Sequence, residues 1–235
     1  MMPAGTATSR WNGYARCARG RTPKQIARAL GLRPAQVAPL VRAITTEDHA
    51  GAPERRLAGC WVSPGWSQGL TVEGHPGWPD VDIADADDSF GLVGVLVTRQ
   101  ERHARVRLCG WLVDVYCLGV KDVVGPRVMD ERHAADFSGS FFAAYQARPL
   151  EAPLELARHL VFGAVEYARS LGFEPTRGFA ATTGELGSWA GPSAIRFGRD
   201  GKPFFVQGPH DNADAVLETL ERSVGRGNFT FLVQA

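Results

Sequence analysis

Three carboxylates stand at positions where they could do chemistry. Asp114 lies inside the apolar run 111–118, where an unpaired charge is costly. Asp122 follows at the end of the same predicted strand, and Glu166 lies on the clearest predicted helix. If the three side chains converge in the fold, they can hold a Mg²⁺ ion for phosphodiester chemistry. Asp114, Asp122 and Glu166 are therefore candidate catalytic residues of a Mg-dependent enzyme acting on nucleic acid.

The same carboxylates also fit structural roles. Asp114 can pair with Lys121 or an arginine, or cap a neighbouring turn. Glu166 with Arg169, or Glu155 with His159, can form ordinary helix-surface pairs. The sequence contains no phosphate-binding Walker loop, dinucleotide fingerprint or H-E-x-x-H motif, which removes support from those enzyme classes. No cofactor beyond this Mg²⁺ is predicted.

Charge is distributed unevenly along the chain. Residues 1–60 carry ten Lys and Arg against three Asp and Glu, whereas residues 61–90 carry six Asp and Glu and no Lys or Arg. Residues 91–235 carry sixteen charges of each sign. A basic segment beside an acidic one is typical of proteins that contact nucleic acid. The overall charge of +1 hides this asymmetry.

Residues 22–44 contain a pattern of helix signals and small residues. Thr22, Pro23 and Gln25 form a capping box that begins one helix, and Gly31 ends it. The positions that lock two helices together are all apolar or small: Ile26, Ala27, Leu30, Leu32, Val37 and Leu40. This window resembles the helix-turn-helix superfamily. Pro39 departs from the pattern, because it predicts a kink in the second helix.

The resemblance implies nucleic-acid binding by the basic segment. Lys24, Arg28 and Arg42 would contact phosphates, and Arg33 and Gln36 are the two residues able to make bidentate contacts with bases. So small a base-contacting set implies binding without strong sequence specificity. DNA is favoured over RNA as the partner.

The rest of the chain divides by composition. Residues 1–50 form the basic helix-turn-helix-like segment, residues 51–90 a connection rich in Gly, Pro, Trp and Asp, and residues 91–235 an α+β domain. The expected architecture is a small three-helix unit followed by a mixed or antiparallel sheet covered by helices on one face. Within the connection, residues 59–62 are expected to form an edge strand.

Hydrophobic periodicity and turn residues predict the elements of the larger domain. Strands are expected at 92–98 and 106–120, a helix at 154–171, a hairpin joining 194–197 to 204–207 around Asp200 and Gly201, a helix from an Asp211 cap to 224, and a strand at 229–233. The 106–120 run is apolar on both faces, which predicts a central strand.

Bulk composition excludes several classes of protein. The chain is 44% hydrophobic and 22% charged, which is ordinary for a globular protein. No apolar run approaches the roughly 18 residues of a membrane span, and the first residues lack the pattern of a secretory signal. We therefore expect a cytoplasmic protein without membrane contact.

Three functions are compatible with these observations. The first is a nucleic-acid-binding protein with a regulatory role, whose α+β domain senses a ligand or docks a protein partner or a second copy. The second is the Mg-dependent enzyme described above. The third is an interaction component of a larger assembly, which predicts an exposed apolar patch around Trp61, Trp66 and Trp78.

Overall fold

The computed structural model describes residues 55–75, 77–81, 90–145 and 147–233. The helix-turn-helix-like segment 1–50 lies outside these residues, so its three helices stay a prediction. So do the roles of its candidate nucleic-acid-binding residues Lys24, Arg28, Arg33, Gln36 and Arg42. In the part of the chain that the structure describes, no helix is both long enough and apolar enough to cross a bilayer.

A five-stranded antiparallel sheet is the centre of the fold. Its strands in chain order are β1 (Leu57–Val62), β3 (Leu92–Gln100), β4 (Arg105–Asp114), β5 (Gly119–Asp130) and β6 (Leu150–Glu151). Four short strands form two further pairs, β2 (Thr71–Val72) with β7 (Ile195–Arg196) and β8 (Phe204–Val206) with β9 (Thr230–Leu232). The chain is therefore an α+β protein over the described residues.

The spatial order of the sheet is β5-β4-β3-β1-β6. Strand β1 lies between β3 and β6, whereas the sequence predicted an edge strand at 59–62. The five-stranded sheet therefore draws strands from both sides of residue 91. Strand β4 is central, as predicted, and its side chains Leu108, Trp111 and Val113 are fully buried.

The predicted single strand 106–120 is in fact a hairpin. Strand β4 ends at Asp114, the chain turns through residues 115–118, and β5 begins at Gly119. Apolar residues continue through the turn because Val115 and Cys117 are buried too, so hydrophobicity alone gives no boundary.

Four helices of the described residues accompany the sheet: α1 (Glu131–Phe141), α2 (Leu154–Ser170), α3 (Phe179–Leu186) and α4 (Ala213–Val224). Helix α2 matches the predicted helix 154–171 within one residue. Its apolar stripe, which includes Leu156, Leu160 and Ala164, is fully buried against one face of the sheet.

Helices pack on both faces of the sheet, which corrects the predicted covering of one face. Val95 and Val97 belong to the core beneath α2, whereas their neighbour Leu96 packs in a second cluster with residues of α1. Gly110 makes this second contact possible, because a Cβ atom there would lie 2.9 Å from the ring of Phe141. Helix α1 was not predicted from the sequence.

The predicted hairpin around Asp200 and Gly201 does not form as a strand pair. Strand β7 pairs with β2, and β8 pairs in parallel with β9, so the two predicted arms have different partners. A single bridge between Arg199 and Lys202 marks the turn. The last helix is capped by Asn212, which accepts a hydrogen bond from the Ala215 amide, and Asp211 takes another role.

A candidate ligand pocket and a histidine cluster

Asp114 organises the turn that joins β4 to β5. Its side chain is only 4% exposed, and its Oδ1 accepts hydrogen bonds from the backbone N–H groups of Tyr116 and Cys117, each at 2.9 Å. A carboxylate at the end of a strand can satisfy the amides of a tight turn in this way. The burial that the sequence made suspicious therefore has a structural cause.

Burial also changes the acidity of this carboxyl. Desolvation raises the pKa of Asp114 from 3.8 to about 6, against the opposing effects of the turn amides, led by Leu118, and of the Lys121 ammonium. Removing a carboxylate from water disfavours its charged form, and neither the amides nor the ammonium fully compensates. The Asp114 carboxyl thus titrates close to neutral pH.

Lys121 lies near Asp114 on β5 and is held by an ion pair. Its Nζ lies 2.5 Å from Oδ2 of Asp211, and the Gly208 amide donates to the same oxygen at 2.8 Å. Asp211 is the one hydrogen-bond partner that the described residues give to the ammonium group. Because an ammonium has three N–H donors, two remain to face a ligand or solvent.

A cavity of about 310 Å³ opens beside these groups. Its walls combine apolar and polar residues: Phe90, Leu92, Val206 and Leu232 on one hand, and Asp114, Lys121, Gln207 and Gly208 on the other. Cavities that bind small molecules have volumes from about 300 Å³ upward and pair apolar walls with a few polar groups. This cavity therefore has the size and lining of a site for a small ligand.

The predicted catalytic carboxylates do not assemble into one site. Asp122 is exposed and accepts a hydrogen bond from the adjacent Val123 amide, while Glu166 is exposed and accepts from the Trp189 indole at 2.6 Å. Among the described residues, these two and Asp114 do not form a group whose ligand oxygens lie within 4.8 Å of one another. The convergence on which a shared Mg²⁺ site depends is therefore not found among the described residues.

A different cluster does meet that distance. His75, Glu155 and His159 each offer a ligand atom within 4.8 Å of the other two. Glu155 and His159 are four positions apart on α2 and so share a helix face. The sequence already shows that Glu155 and His159 are neighbours on the predicted helix, but nothing in the spacing of residues indicates that His75 lies beside them.

Indole rings surround the two imidazoles. The His75 ring stacks on Trp78 with centroids 4.1 Å apart, and the His159 ring meets Trp189 edge to face at 4.9 Å. Partial burial and the neighbouring His75 lower the pKa of His159. His159 is therefore held mainly as a neutral ring at neutral pH.

Hydrogen bonds define the state of the His159 ring further. Its Nδ1 accepts a bond from the Ala194 amide at 2.9 Å, so the neutral ring carries its proton on Nε2. The Ser193 hydroxyl lies 3.4 Å from the same nitrogen but donates to the His159 carbonyl oxygen. Ser193 and His159 are thus not arranged as a nucleophile and its general base, because the Nδ1 lone pair is already occupied.

The tryptophans of the 51–90 segment do not form the exposed patch expected for an interaction protein. Trp66 is 2% exposed, and its indole donates to the Pro79 carbonyl oxygen at 2.7 Å. Trp61 and Trp78 are half-buried and pack on the two core clusters. Their packing weighs against the hypothesis of an assembly component that binds through this segment.

No protein-family model matches the sequence, and no curated protein or solved structure is significantly similar to it.

Proposed function

We propose that this chain is a nucleic-acid-binding regulatory protein in which residues 55–233 form a ligand-binding domain. The cavity beside Asp114 and Lys121 carries the proposal. It combines apolar walls, two donors of a fixed ammonium and a buried carboxyl whose pKa lies near neutrality. Pockets with these properties are the usual locations of binding sites.

The charges in the cavity indicate the class of ligand. Asp211 neutralises the Lys121 ammonium, and ionised Asp114 adds one negative charge nearby. An anion would therefore be repelled, and an uncharged molecule with an acceptor oxygen for Lys121 fits better. The apolar side chains Leu92 and Val206 favour a compact aliphatic or aromatic body. We infer a small uncharged carbonyl or hydroxyl compound.

The Lys121 ammonium group is already held in position in the absence of a ligand. Asp211 fixes the Lys121 Nζ, and the Gly208 amide fixes the Asp211 carboxylate in turn. A glycine at position 208 leaves room for this ion pair, because a Cβ atom there would lie only 3.1 Å from both the Lys121 Nζ and the Asp211 Oδ2. A ligand oxygen that bonds to Lys121 thus avoids much of the ordering cost of a flexible lysine.

Filling the cavity with a larger side chain should abolish ligand binding. Leu232 lines the cavity and is 51% exposed, so Leu232→Trp can place its ring over the opening without disturbing the core. A panel of uncharged carbonyl and hydroxyl compounds should be screened against the full chain by saturation-transfer NMR. Compounds that bind the wild-type chain should bind the variant at least about tenfold more weakly.

Val233→Trp is the matched control, because Val233 is the next residue and does not line the cavity. It should leave the affinities within about twofold of wild type. Equal affinities for both variants, or no binding by any compound of the panel, would contradict a ligand site in this cavity.

The nucleic-acid half of the proposal rests on the charge of residues 1–60 and on the helix-turn-helix resemblance. Replacing Lys24, Arg28 and Arg42 together with glutamine should reduce the slope of log affinity against log salt for double-stranded DNA by about 2.7. Each phosphate contact that is lost removes about 0.9 from this slope. Fluorescence anisotropy across a salt series measures it.

A second triple variant controls for net charge. Arg169, Arg222 and Arg226 are exposed residues of the α+β domain, and their replacement with glutamine removes the same three charges. This variant should keep the wild-type slope to within about half a unit. Identical slopes for both triple variants would show that Lys24, Arg28 and Arg42 make no phosphate contacts, and parallel titrations with RNA test the preference for DNA.

A further inference from the structure

The histidine cluster shares no residue with the cavity, so it calls for its own explanation. His75 follows β2, and Glu155 and His159 lie in the first turns of α2, so the cluster joins two separate segments. The geometry points to a Zn²⁺ site formed by His75, Glu155 and His159. This inference is independent of the ligand pocket and of the basic segment.

The donor set matches the preference of zinc. Two imidazole nitrogens and one carboxylate oxygen form the set that zinc takes in sites that keep a fourth position open. Bond lengths of about 2.0–2.2 Å in a tetrahedron place neighbouring ligand atoms about 3.3 Å apart. One ligand atom of each residue, with either ring nitrogen counted for a histidine, lies within 4.8 Å of the other two, so the side chains must close on the ion by an amount on the order of 1.5 Å.

Side-chain exposure allows this closure. The Glu155 side chain is 56% exposed and its Oε2 lies 4.0 Å from Nδ1 of His75, so rotation about its side-chain bonds can bring the two together. Trp78 and Trp189 meanwhile pack against the imidazoles and limit how far the rings can turn. The carboxylate thus adapts to the ion, while the rings are held in place.

His159 must bind the ion through Nε2, because Nδ1 faces the Ala194 amide. Without metal, Nε2 carries the proton of the neutral ring. Zinc takes the Nε2 lone pair, so the ring must exchange tautomer: the proton leaves Nε2, and Nδ1 becomes protonated. The Nδ1–H group then needs an acceptor, and the Ala194 N–H must turn away from it, because two N–H donors cannot face each other across 2.9 Å.

Ser193 provides that acceptor. Its Oγ lies 3.4 Å from Nδ1, donates to the His159 carbonyl oxygen and accepts from the Ile195 amide, each at 3.1 Å. A hydroxyl oxygen has two acceptor sites, so one is left for Nδ1–H. Ligating histidines almost always donate their second N–H to such a partner, which fixes the tautomer and raises ligand basicity. Ser193 is thus a positioning residue for His159.

Isothermal titration of the metal-stripped full chain with ZnCl₂ tests the site. We expect wild-type binding that weakens more than about tenfold in His75→Asn and in Glu155→Gln, since each variant removes one ligand. His103→Asn is the matched control: His103 is exposed in the turn between β3 and β4, and asparagine tolerates its φ of +60°. It should bind zinc as the wild-type chain does.

The tautomer exchange has its own readout. Zinc should move the ¹⁵N resonances of His159 from the Nε2–H to the Nδ1–H pattern, and Ser193→Ala should weaken binding by about 10–100-fold, while Ser193→Thr retains it. No zinc binding by the wild-type chain, or binding that His75→Asn leaves unchanged, would overturn the site. Binding that Ser193→Ala leaves unchanged, with no change of tautomer, would overturn the role of Ser193.

Discussion

Between pH 4 and pH 7 the wild-type chain should lose about 2.5 kcal/mol of folding stability that the Asp114→Asn variant does not lose. Burial raises the pKa of this carboxyl from 3.8 in the unfolded chain to about 6 in the folded one. The folded state therefore binds the proton more tightly. The stability from that proton is fully present below pH 3.8 and is lost as the pH rises through 6. The difference between the folded and unfolded pKa values corresponds to about 3 kcal/mol in all, and about 2.5 kcal/mol of it is lost between pH 4 and pH 7.

Urea unfolding of both proteins at pH 4 and pH 7 measures this effect. The asparagine Oδ1 can keep the bonds from the Tyr116 and Cys117 amides, so the variant should fold. The quantity compared is the change in unfolding free energy between the two pH values, in which other titrating groups cancel. Asp122 is an exposed carboxylate on the neighbouring strand β5, so Asp122→Asn controls for the loss of one negative charge. This variant should show the same change in unfolding free energy between pH 4 and pH 7 as the wild-type chain. If Asp114→Asn retains it as well, the Asp114 carboxyl does not titrate as its burial implies.

The second large effect concerns the first residue of β5. Gly119→Ala should lower the free energy of unfolding by about 3 kcal/mol. Gly119 has a φ of +68°, and an added Cβ atom would lie 2.8 Å from the Ala168 Cβ and 2.9 Å from the Ala164 carbonyl oxygen of α2. The backbone conformation costs an alanine about 1–2 kcal/mol. Displacing a packed helix adds about 1–3 kcal/mol.

Gly227→Ala separates these two contributions. Gly227 has a φ of +82°, but no atom lies within 4 Å of its added Cβ. Its replacement should therefore cost only the backbone contribution, about 1–2 kcal/mol. Denaturant unfolding of the two variants gives the difference directly. Equal losses would mean that α2 moves aside without resistance, and that the contact between Gly119 and α2 does not fix the start of β5.

Strong periodicity made several elements predictable. The apolar stripe of α2 continues along the whole helix, and Pro153 and Gly172 flank its two ends. Both the helical structure of this segment and its bounds could therefore be predicted from the sequence. Helix α1 differs, because Ala134 is its one buried residue, and Phe137 and Phe141 pack on the core while only partly buried. So sparse a pattern does not stand out from an exposed segment.

Residues typical of a turn did not suffice to predict which strands pair. Asp200 and Gly201 do reverse the chain, but strands β2 and β9 compete for the two arms and take one each. A turn residue determines local backbone direction, whereas pairing depends on which strands tertiary structure brings near. The predicted hairpin therefore failed although its turn was identified.

The cavity and the histidine cluster could be predicted only in part, because both depend on tertiary contacts. The cost of burying Asp114 was visible from the apolar residues around it. Its neighbourhood was not, because the ion pair of Lys121 with Asp211 spans 90 positions, and Asp211 also suited a helix cap. Likewise, His75 meets Glu155 and His159 through tertiary packing. The spacing of residues in the sequence predicts contacts within one helix or strand, whereas these contacts join residues of different elements that are far apart in sequence.

The walls of the cavity come from four separate stretches of chain, and the first and last residues that line it, Phe90 and Leu232, are 142 positions apart in sequence. Bringing residues so far apart in sequence together closes a long loop, which has an entropic cost. The cavity therefore exists only once β9 has paired with β8. A molecule bound there favours the completed domain over every partly assembled form by mass action. The cavity is thus a place where a bound molecule would add directly to the stability of the whole domain.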